Sequence, residues 1–309
     1  MIMRIAVTGR HGQVARALVE RASAASAEIV TLARPEFDLL RPDDVFTSLK
    51  KTGADIVINA AAYTAVDLAE TEASTAQAVN ATAAAAIADA ARALAIPVIY
   101  ISTDYVFDGS LDRSYREDDP PQPINSYGRS KYDGEQAVTA ANPDHAIIRT
   151  AWVYSPFGKN FLRTMLSLAT TKDEIPVVAD QIGSPTSALD IADGLLKVSR
   201  NLLARPSDPQ LRGVFHMTGT GEASWAQFAE AIFQASAALG APSARVIPIP
   251  ASAYPTPAKR PANSRLDGGK IARIHDVVLP EWHNSVVSVV TRLIADEKLK
   301  SGGITGASQ

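Results

Sequence analysis

Five short apolar runs alternate with longer stretches of helical patterning along the first half of the chain, and this alternation restricts the fold more than any other feature. The runs occupy residues 4–8, 28–32, 55–59, 97–101 and 146–149, and the helical stretches lie near 12–25, 43–52, 67–94 and 126–141. Each run is too short for a helix and is continuous rather than alternating, as in strands buried on both faces of a parallel sheet. Strand–helix alternation at this spacing predicts an α/β protein, a Rossmann-type doubly wound parallel sheet over residues 1–152. A chain of 309 residues has room for about two lobes at roughly 150 residues each. Residues 153–309 are less regular, with helices expected near 160–171, 188–203, 224–238 and 285–296 and one more strand near 214–217. They read mainly as a smaller C-terminal substrate-binding lobe, with some later segments returning to the first domain. Prolines mark 119–123 and 248–261 as loops, and the small, polar tail 301–309 is expected to be flexible.

The first strand runs into Thr8-Gly9-Arg10-His11-Gly12-Gln13-Val14-Ala15, which opens the first helix. Gly9 permits a tight turn and Gly12 a close backbone approach to a pyrophosphate seated on the helix N-terminus; Ala15 is small enough to pack helix on strand. Two glycines alone are a weak signal, but their place between strand and helix at the start of a βαβ array points to a dinucleotide. An NAD site would carry an acid after the second strand to hold the ribose 2′-hydroxyl. Here the chain reads Leu32-Ala33-Arg34. Arg34 and Arg10 suit a 2′-phosphate, so NADPH is the expected cofactor with NADH still usable; the alternative is two ordinary surface arginines.

Composition removes several other classes. Thirty basic against 33 acidic side chains leave a formal charge of −3, which argues against nucleic acid as a partner. The absence of cysteine excludes disulfides, thiolate nucleophiles and cysteine-held metals. No two of His11, His145, His216, His275 and His283 have metal-ligand spacing on one helix, so no metal site is expected. There is no G-x-S-x-G elbow, and the glycine loop lacks the lysine of a P-loop. Asp43-Asp44 and Asp118-Asp119 read as solvated acids, and Trp225, Phe228 and Phe233 as one packed helix face. The apolar N-terminus is broken by Arg4 and passes into the glycine loop, unlike a signal peptide, and no stretch reads as a membrane span. A cytoplasmic protein is expected.

Tyr127 and Lys131 lie four residues apart at the start of a helical stretch, hence on one helix face. An ammonium beside a phenol favours the phenolate, which makes the tyrosine a usable acid near neutral pH. The fourth strand ends in Ser102-Thr103-Asp104-Tyr105, where an open α/β sheet places its ligands. Thr103 can offer its hydroxyl to the same carbonyl oxygen as Tyr127.

With these motifs in order, the sequence resembles the extended short-chain dehydrogenase/reductase family, through the TGxxGxxA loop, Asn59-Ala60-Ala61-Ala62, Asn80, Thr103 and the Tyr127/Lys131 pair. Within it the chain is similar to the branch that acts on dTDP-linked 4-keto sugars, in residues 59–67 (NAAAYTAVD), 102–107 (STDYVF), 149–154 (RTAWVY), 180–186 (DQIGSPT) and 254–266 (YPTPAKRPANSRL). The resemblance implies NADPH-dependent reduction of the C4 ketone of dTDP-4-dehydro-L-rhamnose, with Tyr127, Lys131 and Thr103 catalytic. It assigns Gly12, Gln13 and Val14 to the cofactor phosphates, Asp38 and Leu39 to the adenine side, and Ala62, Tyr63 and Thr64 to the cofactor cleft. Thr103, Asp104 and Tyr105 fall near the reacting sugar, and Trp152 packs on it. Independently of the resemblance, Lys259 and Arg260 in the proline-rich loop suit a substrate diphosphate, the alternative being solvated loop cations. Tyr63 departs from an expected histidine. Some relatives hold a divalent metal at a dimer contact through carboxylates, one of them in the first helix; this chain has Arg16-Ala17 there, so neither Mg nor the dimer is carried over, and monomer and homodimer both stay open. The alternatives are a reductase or epimerase of another nucleotide-linked 4-keto sugar, or a non-catalytic regulatory relative.

Overall fold

The computed structural model describes residues 2–41 and 44–302, with side chains to 296. Asp43 and the last seven residues of the expected flexible tail therefore lie outside the described residues. The chain order begins β1 (Met3–Thr8), α1 (Gln13–Arg21), β2 (Ala27–Leu32), α2 (Val45–Thr52) and β3 (Ile56–Asn59). It continues through α3 (Ala73–Gln77), α4 (Ala83–Ala93), β4 (Val98–Thr103), α5 (Ser126–Ala141) and β5 (His145–Thr150). The second half contributes β6 (Val153–Tyr154), α6 (Phe161–Ala169), β7 (Glu174–Val178), β8 (Ile182–Gly183), β9 (Thr186–Ser187) and α7 (Ala188–Ala204). Then come β10 (Gly213–His216), β11 (Ala223–Ser224), α8 (Trp225–Ala238), β12 (Arg245–Ile249), β13 (Asn263–Ser264), α9 (Gly269–His275) and α10 (Trp282–Gly302).

Six strands form one parallel sheet in the order β10-β5-β4-β3-β1-β2. The doubly wound α/β sheet expected from the apolar runs is thus observed, and the reason is visible in the side chains. Ile5, Val7, Ile56, Ile58, Ile99 and Ile148 pack on one face, into the core shared with α1, α7 and the second half of the chain. Their neighbours Ala6, Val57, Val98, Tyr100 and Ile147 pack on the other, against α2 and α4. A strand buried on both faces has no polar positions to alternate with, hence the continuous runs. Strand β10, far along the chain, completes the sheet edge in register with β5, His216 beside Arg149.

The strand order reverses between β1 and β3, so the loops leaving these two strands part at a crevice beyond their carboxyl ends, the usual ligand position in open α/β sheets. The helical pattern of 67–94 is broken in the structure. A 3-10 turn (Leu68–Glu70) and α3 lead into one π-helical turn (Ala78–Thr82) before α4 begins. That turn releases the Asn80 carbonyl to accept the Tyr100 hydroxyl at 2.7 Å. Among the described residues no helix is long and apolar enough to cross a membrane.

Candidate active site

The glycine loop sits against the crevice. Gly9 has a φ of +91°, which a side chain would strain, and a Cβ there would stand 3.5 Å from that of Ala61. A Cβ on Gly12 would meet nothing within 4 Å. Gly12 caps α1 without any side-chain hydrogen bond, and the space beside it is open. This terminus fits the pyrophosphate of a dinucleotide. The opposite wall is pinned to the loop: Thr8 Oγ1 donates to Asn59 Oδ1 at 2.7 Å and accepts the Ala61 N–H at 3.1 Å. Asn80 accepts the Tyr63 N–H at 2.8 Å and donates to the Tyr63 carbonyl at 3.1 Å and to Ser130 Oγ at 2.9 Å. One asparagine on the π turn thereby ties the stretch holding Ala62, Tyr63 and Thr64 to α5.

Arg10 and Arg34 are both exposed beside this crevice; Arg10 faces Glu36 across 4.0 Å. Gly9 N–H donates to the Leu32 carbonyl at 2.7 Å, which brings the end of β2, and Arg34 two residues on, next to the loop. Asp38 caps its own turn by accepting the Leu40 N–H at 3.1 Å, and Leu39 packs on the core. Val14 packs on the main core. Gln13 sits at the helix start, but its side chain turns toward the second half of the chain, accepting from Ser155 Oγ at 2.7 Å and Asn160 Nδ2 at 3.0 Å. Arg16, where some relatives were expected to carry a metal-binding acid, lies over the Phe157 ring at 4.3 Å. Among the described residues no group of His, Cys, Asp and Glu could hold a metal ion.

Across the crevice, the end of β4 meets the start of α5. Thr103 Oγ1 donates to Asp104 Oδ1 at 2.9 Å and accepts the Tyr105 N–H at 3.2 Å, and its hydroxyl lies close enough to the Tyr127 phenol to draw that pKa down. Tyr105 and Tyr127 meet edge to face with ring centroids 5.7 Å apart. Helix α5 comes close to this turn and to the π turn because two of its residues are glycines. A Cβ on Gly128 would fall 2.1 Å from the Tyr105 carbonyl oxygen, and one on Gly134 would fall 2.1 Å from that of Asn80. Each glycine costs the helix about 1 kcal/mol relative to alanine, offset by the close contact. Asn125 caps α5 through the Gly128 N–H at 2.7 Å and donates to the Lys259 carbonyl at 2.9 Å, joining helix to proline-rich loop.

The electrostatics differ from the expectation that Lys131 sits against the phenol. Lys131 Nζ donates to the Ile101 carbonyl at 2.7 Å and lies 3.9 Å from the centre of the Tyr100 ring. Burial brings its pKa down to about 7, against the pull of the Glu135 carboxylate. Burial also drives the Tyr127 phenol up, opposed by the nearby Thr103 hydroxyl and helped by the charges of Asp104 and Tyr105. Tyr127 is thus held protonated. Asp104, 4% exposed, is pushed up to about 6 by burial, against the pull of the nearby Ser264 hydroxyl and the Thr103 hydrogen bond.

The remaining sugar-side residues come from separate elements. Arg260 donates to Asp67 Oδ2 at 3.0 Å and to the Tyr105 hydroxyl at 3.3 Å, so the proline-rich loop docks beside Thr103. Trp152, just past β5, has a φ of +48° and stacks on Trp225, centroids 3.6 Å apart. A Cβ on Gly183 would reach 2.4 Å from that indole. Phe228 and Phe233 are core residues as expected, and Trp225 packs against the same core while stacking on Trp152. Asp67, Gly128, Gly134, Glu135 and Trp225 all support the site and were not singled out as site residues in the sequence; only the two glycines inside a helical pattern left a readable signal.

A doubly wound sheet with a glycine loop at its switch point, and Thr103, Tyr127 and Lys131 gathered at the end of β4, defines a short-chain dehydrogenase/reductase of the extended type. The family described as RmlD substrate binding domain matches residues 3–295. A dTDP-4-dehydrorhamnose reductase of Sinorhizobium fredii is 49% identical over 296 residues, covering 96% of this chain and 99% of that protein. The crystal structure of a dTDP-4-dehydrorhamnose reductase from Clostridium acetobutylicum superposes with a TM-score of 0.87 at 34% identity, covering 94% of this chain and 99% of that one. The Bacillus anthracis dTDP-4-dehydrorhamnose reductase, solved in complex with NADP, gives a TM-score of 0.86 at 32% identity, with 94% and 100% covered. The chain belongs to the dTDP-4-dehydrorhamnose reductase family.

Proposed function

We propose that the protein reduces the C4 ketone of dTDP-4-dehydro-L-rhamnose to dTDP-L-rhamnose with NADPH. The observation that carries this reading is the meeting of Thr103 and Tyr127 at the carboxyl end of β4, facing a glycine loop whose helix start is open. When bound, NADPH supplies the hydride. The chain's own groups hold and move the proton. Tyr127, kept protonated by burial, gives its proton to the ketone oxygen. The Thr103 hydroxyl, which donates to Asp104 Oδ1 in the free protein, turns to donate to that oxygen as charge develops, a contribution that grows toward the transition state. Lys131 would hold a sugar hydroxyl of the bound cofactor. Gly9, Gly12, Gln13 and Val14 seat the cofactor phosphates, Asp38 and Leu39 its adenine side, and Ala62, Tyr63 and Thr64 line its cleft, with Arg10 and Arg34 at the 2′-phosphate. On the substrate side, Asp104 and Tyr105 flank the sugar, Trp152 packs on its ring, and Arg260 turns toward the diphosphate. The test is NADPH consumption by the purified protein with the enzymatically prepared dTDP-4-keto-6-deoxy sugar. Rapid turnover to dTDP-L-rhamnose is expected; a folded protein that leaves NADPH untouched would overturn the proposal in favour of a non-catalytic role.

A further inference from the structure

Behind Lys131, one helical turn along α5, stands Glu135. Its side chain is 1% exposed and is paired with Arg149 of β5, 3% exposed. Arg149 Nε and Nη2 donate to its two carboxylate oxygens at 2.8 and 2.6 Å, and Ser102 Oγ donates to Oε1 at 2.5 Å. A buried ion pair is poor evidence for stability, because well-packed apolar residues often do as well in its place. This pair therefore calls for another reason.

The surroundings of Lys131 supply one. Its ammonium is buried, and the contacts made by Nζ are to neutral groups, the Ile101 carbonyl and the Tyr100 ring. Ionisable groups on the packed elements include Tyr100 from β4, Asp104 and Tyr105 from the turn after it, Arg149 and His145 from β5, Asp89 and Arg92 from α4, and Tyr127, Arg129, Tyr132, Asp133 and Glu135 from α5 itself. Glu70 is engaged at the start of α5, accepting the Ser126 N–H at 2.7 Å, and Asp67 is paired with Arg260. Glu135 is the carboxylate whose charge acts on Lys131. Arg149 Nη1 is buried without a partner, so the charge of that guanidinium is balanced at Glu135 and competes there with Lys131.

We propose that Glu135 is a positioning residue for the reduction: its carboxylate keeps the Lys131 ammonium charged inside the fold, and Arg149 sets how much of that field the lysine feels. The proposal rests on the reading of Lys131 as part of a reductase site. Lys131 and Glu135 lie four residues apart on one face of α5, where Cβ atoms stand about 5–6 Å apart; an opposite charge at that range moves a pKa by roughly 1–3 units, and the competing Arg149 places the expected effect at the low end.

The experiment follows the titration of Lys131 in ligand-free protein by NMR of isotope-labelled lysine, alongside the pH profile of kcat/KM. Glu135→Gln is expected to lower the Lys131 midpoint, and with it the alkaline limb of the profile, by about one unit or more. Arg149→Met leaves the carboxylate facing Lys131 without a rival and is expected to shift both upward. Glu135→Asp keeps the charge and should keep the midpoint near wild type. A purely structural pair would lower thermal stability in both variants without opposed shifts. Unmoved midpoints, or shifts of the same sign in folded protein, overturn the proposal, as does a Glu135→Asp protein that titrates like Glu135→Gln. Should Glu135→Gln fail to fold, the upward shift in Arg149→Met decides alone. A wild-type protein with no turnover would defeat the reductase reading while the NMR titrations still judge Glu135.

Discussion

Gly128→Ala is expected to reverse the usual effect of filling a helix interior. Elsewhere in an exposed helix this change gains about 1 kcal/mol. Here the new Cβ would lie 2.1 Å from the Tyr105 carbonyl oxygen, 2.9 Å from its carbon and 3.2 Å from Asn125 Oδ1. Two of these atoms are backbone and the third caps the helix, so none can swing aside. Restoring ordinary contact moves the start of α5 and the Thr103–Tyr105 turn apart by about 1 Å. Overpacking of this kind costs typically about 1–3 kcal/mol. Because Tyr127 and Thr103 lie on the two sides of the contact, a misplacement of about 1 Å is also expected to lower kcat by roughly 10²-fold. Steady-state kinetics with NADPH and the dTDP-4-keto sugar, with calorimetric melting, check both parts. Gly194→Ala in α7 is the control: its Cβ would meet the flexible end of the Met217 side chain and a methyl of Val277, away from the site, and kcat should be unchanged. A Gly128→Ala protein with wild-type kcat and a raised melting temperature would refute the reasoning.

Other outcomes follow from the same geometry. Arg34→Ala should weaken NADPH binding about 10- to 100-fold, the worth of a charge-assisted hydrogen bond, and leave NADH binding nearly unchanged; equal losses in cofactor titrations would remove Arg34 from the 2′-phosphate. Asp104 has a folded pKa of about 6 against 3.8 in the open chain, so the stability of its protonated form is full below pH 3.8 and is lost as pH rises through about 6. The difference is about 3 kcal/mol at 1.36 kcal/mol per unit, and Asp104→Asn should flatten denaturant stability over that window; an unchanged pH dependence would contradict the burial argument. A free keto sugar without the nucleotide should lose kcat as well as raise KM, because remote binding energy positions the ring; comparable turnover of the two would count against the dTDP-sugar reading.

The central sheet was legible because its strands are buried on both faces, which writes continuous apolar runs into the sequence. Helix α5 was equally clear, since Asn125 caps it and its pattern ends at Ala141. The π turn at Asn80 was hidden within an alanine-rich stretch that favours helix throughout, and tertiary bonds to Tyr63, Ser130 and Tyr100 decide its geometry. Strand β12 escaped notice because it contains Pro248; in a two-stranded sheet each strand is an edge, where proline is tolerated. The two-residue strands β6, β8, β9, β11 and β13 are too short for any periodicity. Within the site, Thr103, Tyr127 and Lys131 carry a spacing that means chemistry. Asp67, Glu135 and Trp225 matter only through partners 193, 14 and 73 residues away, Arg260, Arg149 and Trp152, and a single sequence does not display such pairs. The lysine was expected to face the phenol, yet its ammonium turns to a strand carbonyl and a second tyrosine ring, a choice set by packing.

The most direct test of the account is Tyr127→Phe, which keeps the ring that meets Tyr105 and removes only the hydroxyl near Thr103. If Tyr127 is the proton donor, single-turnover reduction of the dTDP-4-keto sugar should slow by about 10²- to 10⁴-fold, with NADPH affinity and melting temperature near wild type. A folded Tyr127→Phe protein that reduces the sugar within about threefold of the wild-type rate, far below what general acid catalysis contributes, would contradict it.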